Sequence, residues 1–94
     1  MNETLMLIGS LSNDLLRVAN MVHRGSVEGA SRFFNEAQKW SLQLKHRQLK
    51  PYIQNIITGI NAETNKTALT KNKAEKFLMY SILLQNYAVH DKFE

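Results

Sequence analysis

Apolar side chains recur every three or four residues through most of this sequence, and this spacing constrains the fold more than any other feature. In the first segment the recurring positions are Leu5, Ile8, Leu11, Leu15, Val18 and Val22. Residues three or four apart lie on the same face of an α-helix. The chain has only one proline and four glycines, too few for the many turns of a β protein. The sequence therefore predicts an all-α fold.

Residues that start and stop helices divide this pattern into four segments. Gly25 is typical of a residue just beyond a helix end, and Ser26 is a favourable N-cap for a second helix. Pro51 either breaks the second segment before a short third helix or bends one long helix. Residues 61–65 have the composition of a loop before the last helix. We therefore expect a small helical bundle of three long helices and one short helix with up-down connectivity.

The length and composition of the chain describe a single folded domain over residues 1–94. Apolar residues make up 44% of the chain and charged residues 21%, as in ordinary folded proteins. The absence of cysteine excludes disulfides and thiolate-ligated metals. The N-terminus lacks the basic flank of a secretory signal. No apolar run approaches the ~20 residues that span a bilayer, so we expect a cytoplasmic protein without a membrane segment.

The last helix is apolar around nearly its whole circumference, since between residues 77 and 84 only Ser81 is neither apolar nor aromatic. Such a helix must be buried on most sides. It is either the central helix of the bundle, a homodimer interface, or a docking site for another helical protein. Met and Tyr are enriched at interface cores, which favours an interface. Its candidate residues are Phe77, Met79, Tyr80, Leu83, Leu84 and Tyr87.

Positive charge is concentrated in the middle of the chain. The net charge is +4, and residues 26–60 contribute five bases against two acids. Basic stripes of this kind predict salt-sensitive, sequence-independent binding to nucleic acid, although a solvated helix face is the more common explanation. The candidate anion contacts are Arg32, Lys39, His46 and Lys50 on the second segment, and Lys71 and Lys73 at the start of the last helix.

Catalytic and metal-binding patterns are missing from the sequence. The three histidines, His23, His46 and His90, are scattered without metal-ligand spacing, and no cofactor motif occurs. We therefore expect no metal, no cofactor and no catalytic residues.

One short segment provides an alternative. Residues 17–23 read Arg-x5-His, which resembles the Arg-x(4–6)-His motif of the all-helical HEPN ribonucleases, although Val18 replaces the polar residue that usually follows the arginine. The resemblance covers seven residues and implies an RNA-cleaving site in which dimerisation brings Arg17 and His23 to a shared cleft. Otherwise they are a surface arginine and a histidine that interacts with the helix dipole.

Together these features favour a non-catalytic helical bundle that acts as a homo-oligomer or as an interaction or regulatory module. Its expected partner is a second copy or another helical protein. Nucleic-acid binding through the basic face of the second helix is the first alternative, and a HEPN-like ribonuclease is the second.

Overall fold

The structure, a computed structural model, describes residues 2–63 and 69–91. The described residues form four α-helices in chain order: α1 (Glu3–His23), α2 (Val27–Leu44), α3 (Pro51–Ala62) and α4 (Lys71–Asp91). Within the described ranges there is no β-strand. The predicted all-α bundle of three long helices and one short helix is confirmed. The predicted loop at 61–65 starts later than expected, because residues 61 and 62 still belong to α3. Residues 64 and 65 lie outside the described part of the chain.

Local capping explains where the helices begin and end. The side chains of Asn2, Ser26 and Thr70 each accept a hydrogen bond from a backbone N–H two or three residues further on. These bonds satisfy amide groups that have no partner inside the helix. Gly25 has a φ of 79°, in the left-handed region that favours glycine. It therefore ends α1 and lets the chain turn directly into α2.

Pro51 marks a break between two helices and not a bend. Helix α2 ends at Leu44, and α3 begins at Pro51 itself. Lys50 is extended, with a ψ of 147°, as the steric demand of a following proline requires. Proline suits the first position of a helix because no intrahelical acceptor is available there for an N–H group.

The bundle has up-down connectivity, as contacts between the helices show. Helix α1 packs against both α2 and α4. The pairing of Arg47 with Glu3 and Thr4 places the end of α2 beside the start of α1, so these helices are antiparallel. Helix α3 runs back along α2, since Ser41 donates to the Ile57 carbonyl oxygen and Gln38, about one turn earlier in α2, donates to the carbonyl oxygen of residue 60, about one turn later in α3.

All four helices contribute to one core. Phe34 of α2 and Phe77 of α4 stack with their ring centroids 5.3 Å apart, and the isoleucines of α3 close the core from the side opposite α1. Offset aromatic pairs add to the stabilisation from buried area alone. The buried isoleucines are Ile53, Ile56, Ile57 and Ile60, and the buried residues of α1 include Leu7, Ile8, Leu11, Leu15 and Val18.

A reciprocal pair of serines joins α1 to α4. The Ser12 hydroxyl donates to the Ser81 carbonyl oxygen at 2.9 Å, and the Ser81 hydroxyl donates to the Ser12 carbonyl oxygen at 2.8 Å. A short side chain can reach the backbone of the facing helix only where the two helices are close. Small residues recur every seven positions along the same side of α4, at Ala74, Ser81 and Ala88, which permits this close packing.

We expect Ser81→Leu to destabilise the fold, because the larger side chain cannot fit between the two helices. Overpacking a buried position typically costs about 1–3 kcal/mol of unfolding free energy, and the hydrogen bond from the Ser81 hydroxyl to the Ser12 carbonyl oxygen is lost as well. Urea denaturation followed by circular dichroism measures this change. The control, Asn86→Leu at an exposed position on the same helix, should change the unfolding free energy by about 0.5 kcal/mol or less. Equal effects of the two substitutions would contradict close packing at Ser81.

Candidate interaction surface

Two of the six predicted interface residues lie in the core of the bundle. Phe77 is 1% exposed and Leu84 is 0% exposed, so neither side chain leaves surface for a partner. Their assignment to an interface is therefore corrected. The helical pattern shows that these residues share a face of α4, but it does not show that α1, α2 and α3 cover that face.

Tyr80 and Tyr87 pack on the α3 side of α4 and are half-buried. The Tyr80 hydroxyl lies 3.3 Å from the position that a Cβ atom would occupy at Gly59, so glycine makes room for this ring. Tyr87 meets Tyr52 of α3 edge to face, with ring centroids 6.3 Å apart. These tyrosines attach α4 to α3, and most of their apolar area is already used within the chain.

Met79 and Leu83 are exposed, as an interface requires. Met79 is 52% exposed and Leu83 is 38% exposed. Two further residues of α4 that are not among the six predicted interface residues, Ile82 and Val89, are 54% and 39% exposed. The rest of the chain therefore does not cover α4 on all sides, which contradicts the alternative that α4 is the central helix of the bundle. The spacing of positions 78, 82, 85 and 89, which defines a second stripe on α4, could have revealed Ile82 and Val89.

Ile82 and Val89 lie beside a matching stripe on α1, whereas Met79 and Leu83 line neither groove between the two helices. We call the combined surface the α1–α4 face and define it by Met6, Gly9, Asn13 and Leu16 of α1 and by Leu78, Ile82, Gln85 and Val89 of α4. Because the two helices are antiparallel, Met6 lies near Val89 and Leu16 lies near Leu78. Two open grooves of about 420 and 330 Å³ run between the stripes.

The α1–α4 face carries no charged side chain over most of its length. Residues 4–13 of α1 and residues 77–89 of α4 contain no Asp, Glu, Lys or Arg. Asp14 follows directly on α1, but it is 2% exposed and faces α2. Charged side chains are depleted at the centres of protein interfaces. The polar groups of the face are amides, chiefly those of Asn13 and Gln85.

The predicted basic stripe does not form one continuous helix face. Arg32 and Lys39 are exposed on α2, but His46 and Lys50 follow the end of that helix at Leu44. The Lys50 ammonium lies 5.5 Å from the centroid of the Tyr87 ring. The prediction of one continuous stripe requires α2 to extend to Pro51, whereas α2 ends at Leu44.

The two basic residues at the start of α4 have different surroundings. Lys71 is exposed, whereas the Lys73 ammonium forms an ion pair with Glu63 at 2.9 Å. That pair is mostly shielded, with the side chains 26% and 17% exposed. Glu63 therefore offsets much of the attraction of Lys73 for an anion.

Arg17 and His23, the residues of the Arg-x5-His segment, have separate environments. The Arg17 guanidinium pairs with Asp14 at 3.2 Å and lies 5.4 Å from the centroid of the Phe33 ring. His23 is exposed in the last turn of α1. Among the described residues, no group of three His, Cys, Asp or Glu side chains is placed to hold a metal ion.

Asp14 is a buried carboxylate that links α1 to α2. The Trp40 indole N–H donates to its Oδ2 atom at 2.9 Å, and Arg17 donates to Oδ1 at 3.2 Å. Burial raises the pKa of Asp14 above its ordinary value, and this effect outweighs the hydrogen bond from Trp40, which lowers it. Sequence reasoning missed this contact, although a mostly buried indole N–H generally requires an acceptor.

We expect the Asp14 carboxyl to make folding stability depend on pH. Because its pKa is raised in the native state, its stabilising contribution is full below the ordinary value of 3.8 and is lost as the pH rises through the native pKa. Asp14→Asn keeps an acceptor for Trp40 but does not titrate. The unfolding free energy of the wild type, measured relative to this variant by urea denaturation, should therefore fall as the pH rises. A constant difference between the two proteins would contradict the raised pKa.

Comparison with known proteins does not indicate a function for this chain. No known protein family, characterised protein or solved structure gives a significant match to the chain. None of the helices in the described ranges has both the length and the apolar character needed to cross a membrane.

Proposed function

We propose that this chain is a non-catalytic helical interaction module that associates with another protein through the α1–α4 face. One observation carries the proposal: exposed apolar side chains lie side by side on two neighbouring helices. Met6, Leu16, Ile82 and Val89 are each 39–54% exposed. Single exposed apolar residues are common and need no explanation. Contiguous apolar patches larger than a few hundred Å² are uncommon on monomers and mark interaction sites.

The location of these residues on rigid helices favours binding. The serine pair holds α1 and α4 together, so the two stripes keep their relative position without a partner. A partner therefore need not order a loop when it binds, and the entropy cost of association is smaller. The long apolar side chains provide area, and the grooves between the helices provide recesses for side chains of the partner.

The two alternative functions have less support. Of the predicted anion contacts, Lys73 is paired with Glu63, and His46 and Lys50 lie beyond the end of α2, so the basic residues do not form the continuous stripe that nucleic acid would contact. For the ribonuclease, the surroundings of Arg17 and His23 are separate in the single chain, and Arg17 already donates one hydrogen bond to Asp14. Nucleic-acid binding and RNA cleavage remain predictions of the sequence, and the α1–α4 face is the stronger candidate.

The proposed function is tested by measuring the size of the complex that contains this chain in an extract of its native cells. We expect the endogenous chain to elute from a gel-filtration column well above its own mass of 10.8 kDa. Ile82→Asp should shift it to the monomer position, because a charge at the centre of an apolar contact is costly to bury. The matched control, Leu42→Asp, changes a residue of α2 that is 56% exposed and should leave the complex intact.

Circular dichroism of both purified variants verifies that they remain helical. If the wild-type chain elutes as a monomer in the extract, the proposed function is wrong. The same conclusion follows if Leu42→Asp dissociates the complex and Ile82→Asp does not.

A further inference from the structure

We propose that the occupant of the α1–α4 face is a second copy of this chain, related to the first by a two-fold axis. This inference rests on the proposed function and assigns the partner. In a two-fold contact the same patch is present on both sides. The face must therefore be complementary to itself in charge, in hydrogen bonding and in shape.

The charge of the face suits a copy of itself. The whole chain carries a net charge of +4, so two copies repel each other where their charged surfaces meet. The α1–α4 face avoids this repulsion because residues 4–13 and 77–89 are uncharged. Recognition of a partner with a strong charge would instead be served by opposite charges on the face. None is present in those two segments.

The polar groups of the face are also self-complementary. Asn13 and Gln85 are exposed within the two stripes, and each carries both a donor and an acceptor in one amide group. An amide can therefore bond to an amide of the second copy, whereas a charged group next to the two-fold axis would meet its own like-charged copy. A single polar layer in an apolar helical seam fixes register and oligomeric state. Asn13 and Gln85 provide such layers between the apolar ones.

The shape of the face provides both a projection and a recess. Ile82 projects from α4 and is 54% exposed. At Gly9 a Cβ atom would meet nothing within 4 Å, so α1 is open to a side chain of the partner at that point. Two antiparallel helix pairs stacked face to face form a four-helix arrangement, in which projections of each copy enter recesses of the other.

The size of the face places it at the centre of a dimer contact. Residues 6–16 of α1 and 78–89 of α4 extend about 15–17 Å along the helices at 1.5 Å per residue, whereas the bundle is 39 Å long. Specific complexes bury about 800 Å² per partner, so the contact extends beyond the face along the same long side of the bundle. Interfaces of this size have dissociation constants that range from micromolar to picomolar, so dimers should be populated at ~10 μM chain.

Sedimentation equilibrium of the purified chain tests the inference directly. We expect the wild type to sediment as a dimer. Gly9→Asp and Ile82→Asp, which place a charge on α1 and on α4 respectively, should each raise the dissociation constant by about 100-fold or more, because two-fold symmetry introduces each change twice. Leu42→Asp should leave the dissociation constant unchanged. Circular dichroism verifies that every variant is folded.

Chemical crosslinking locates the contact. Since the chain has no cysteine, a single introduced cysteine reacts without background. We expect Asn13→Cys to give a covalent dimer with a short bis-maleimide at low micromolar concentration, and Leu42→Cys to remain monomeric. A reversed pattern, or equal crosslinking at both positions, would overturn the two-fold contact on this face.

The failure of this inference is distinguishable from the failure of the proposed function. If the purified wild type is a folded monomer at ~10 μM, well within the micromolar range expected for such an interface, a second copy is not the occupant. The proposed function then still stands if the chain is in a larger complex in the native extract and Ile82→Asp releases it. If the chain is monomeric in both settings, both proposals are wrong.

Discussion

The close contact between α1 and α4 determines most of what this molecule presents to its surroundings. Reciprocal hydrogen bonds between Ser12 and Ser81 fix how far apart these helices lie and how each is rotated about its own axis. That rotation turns Phe77 and Leu84 into the core and leaves Ile82 in solvent. With a larger residue at Ser81, the helices would separate, and the same apolar residues of α4 would divide differently between core and surface.

The elements of the fold follow from short-range signals in the sequence. The three- and four-residue spacing of apolar side chains predicts the helices, Ser26 and Gly25 predict the turn between α1 and α2, and Pro51 predicts the start of α3. Each of these features depends on residues within one or two turns of each other. Local backbone sterics and capping bonds are therefore sufficient to explain them.

The candidate surface is less predictable because it depends on contacts between distant parts of the chain. Ser12 and Ser81 are 69 residues apart, and no local pattern indicates that they meet. A helical wheel gives the angles between side chains on α4 but not the direction of its neighbours. For this reason the helical pattern assigns Phe77 and Leu84 to an interface, although both lie in the core. It does not distinguish Ile82 and Val89 as exposed positions. The prediction of a basic stripe depends in turn on the length of α2. This helix ends at Leu44 without a proline or glycine to indicate its end.

The contact between Trp40 and Asp14 has a practical consequence for the study of this protein. Trp40 is the only tryptophan of the chain, and its indole is bonded across the boundary between α1 and α2. The α1–α4 face lies on another side of α1. Tryptophan emission therefore reports on the opening of the α1–α2 hairpin, while binding events on the α1–α4 face leave its surroundings unchanged. The molecule thus contains an intrinsic probe that separates unfolding from association in a single sample.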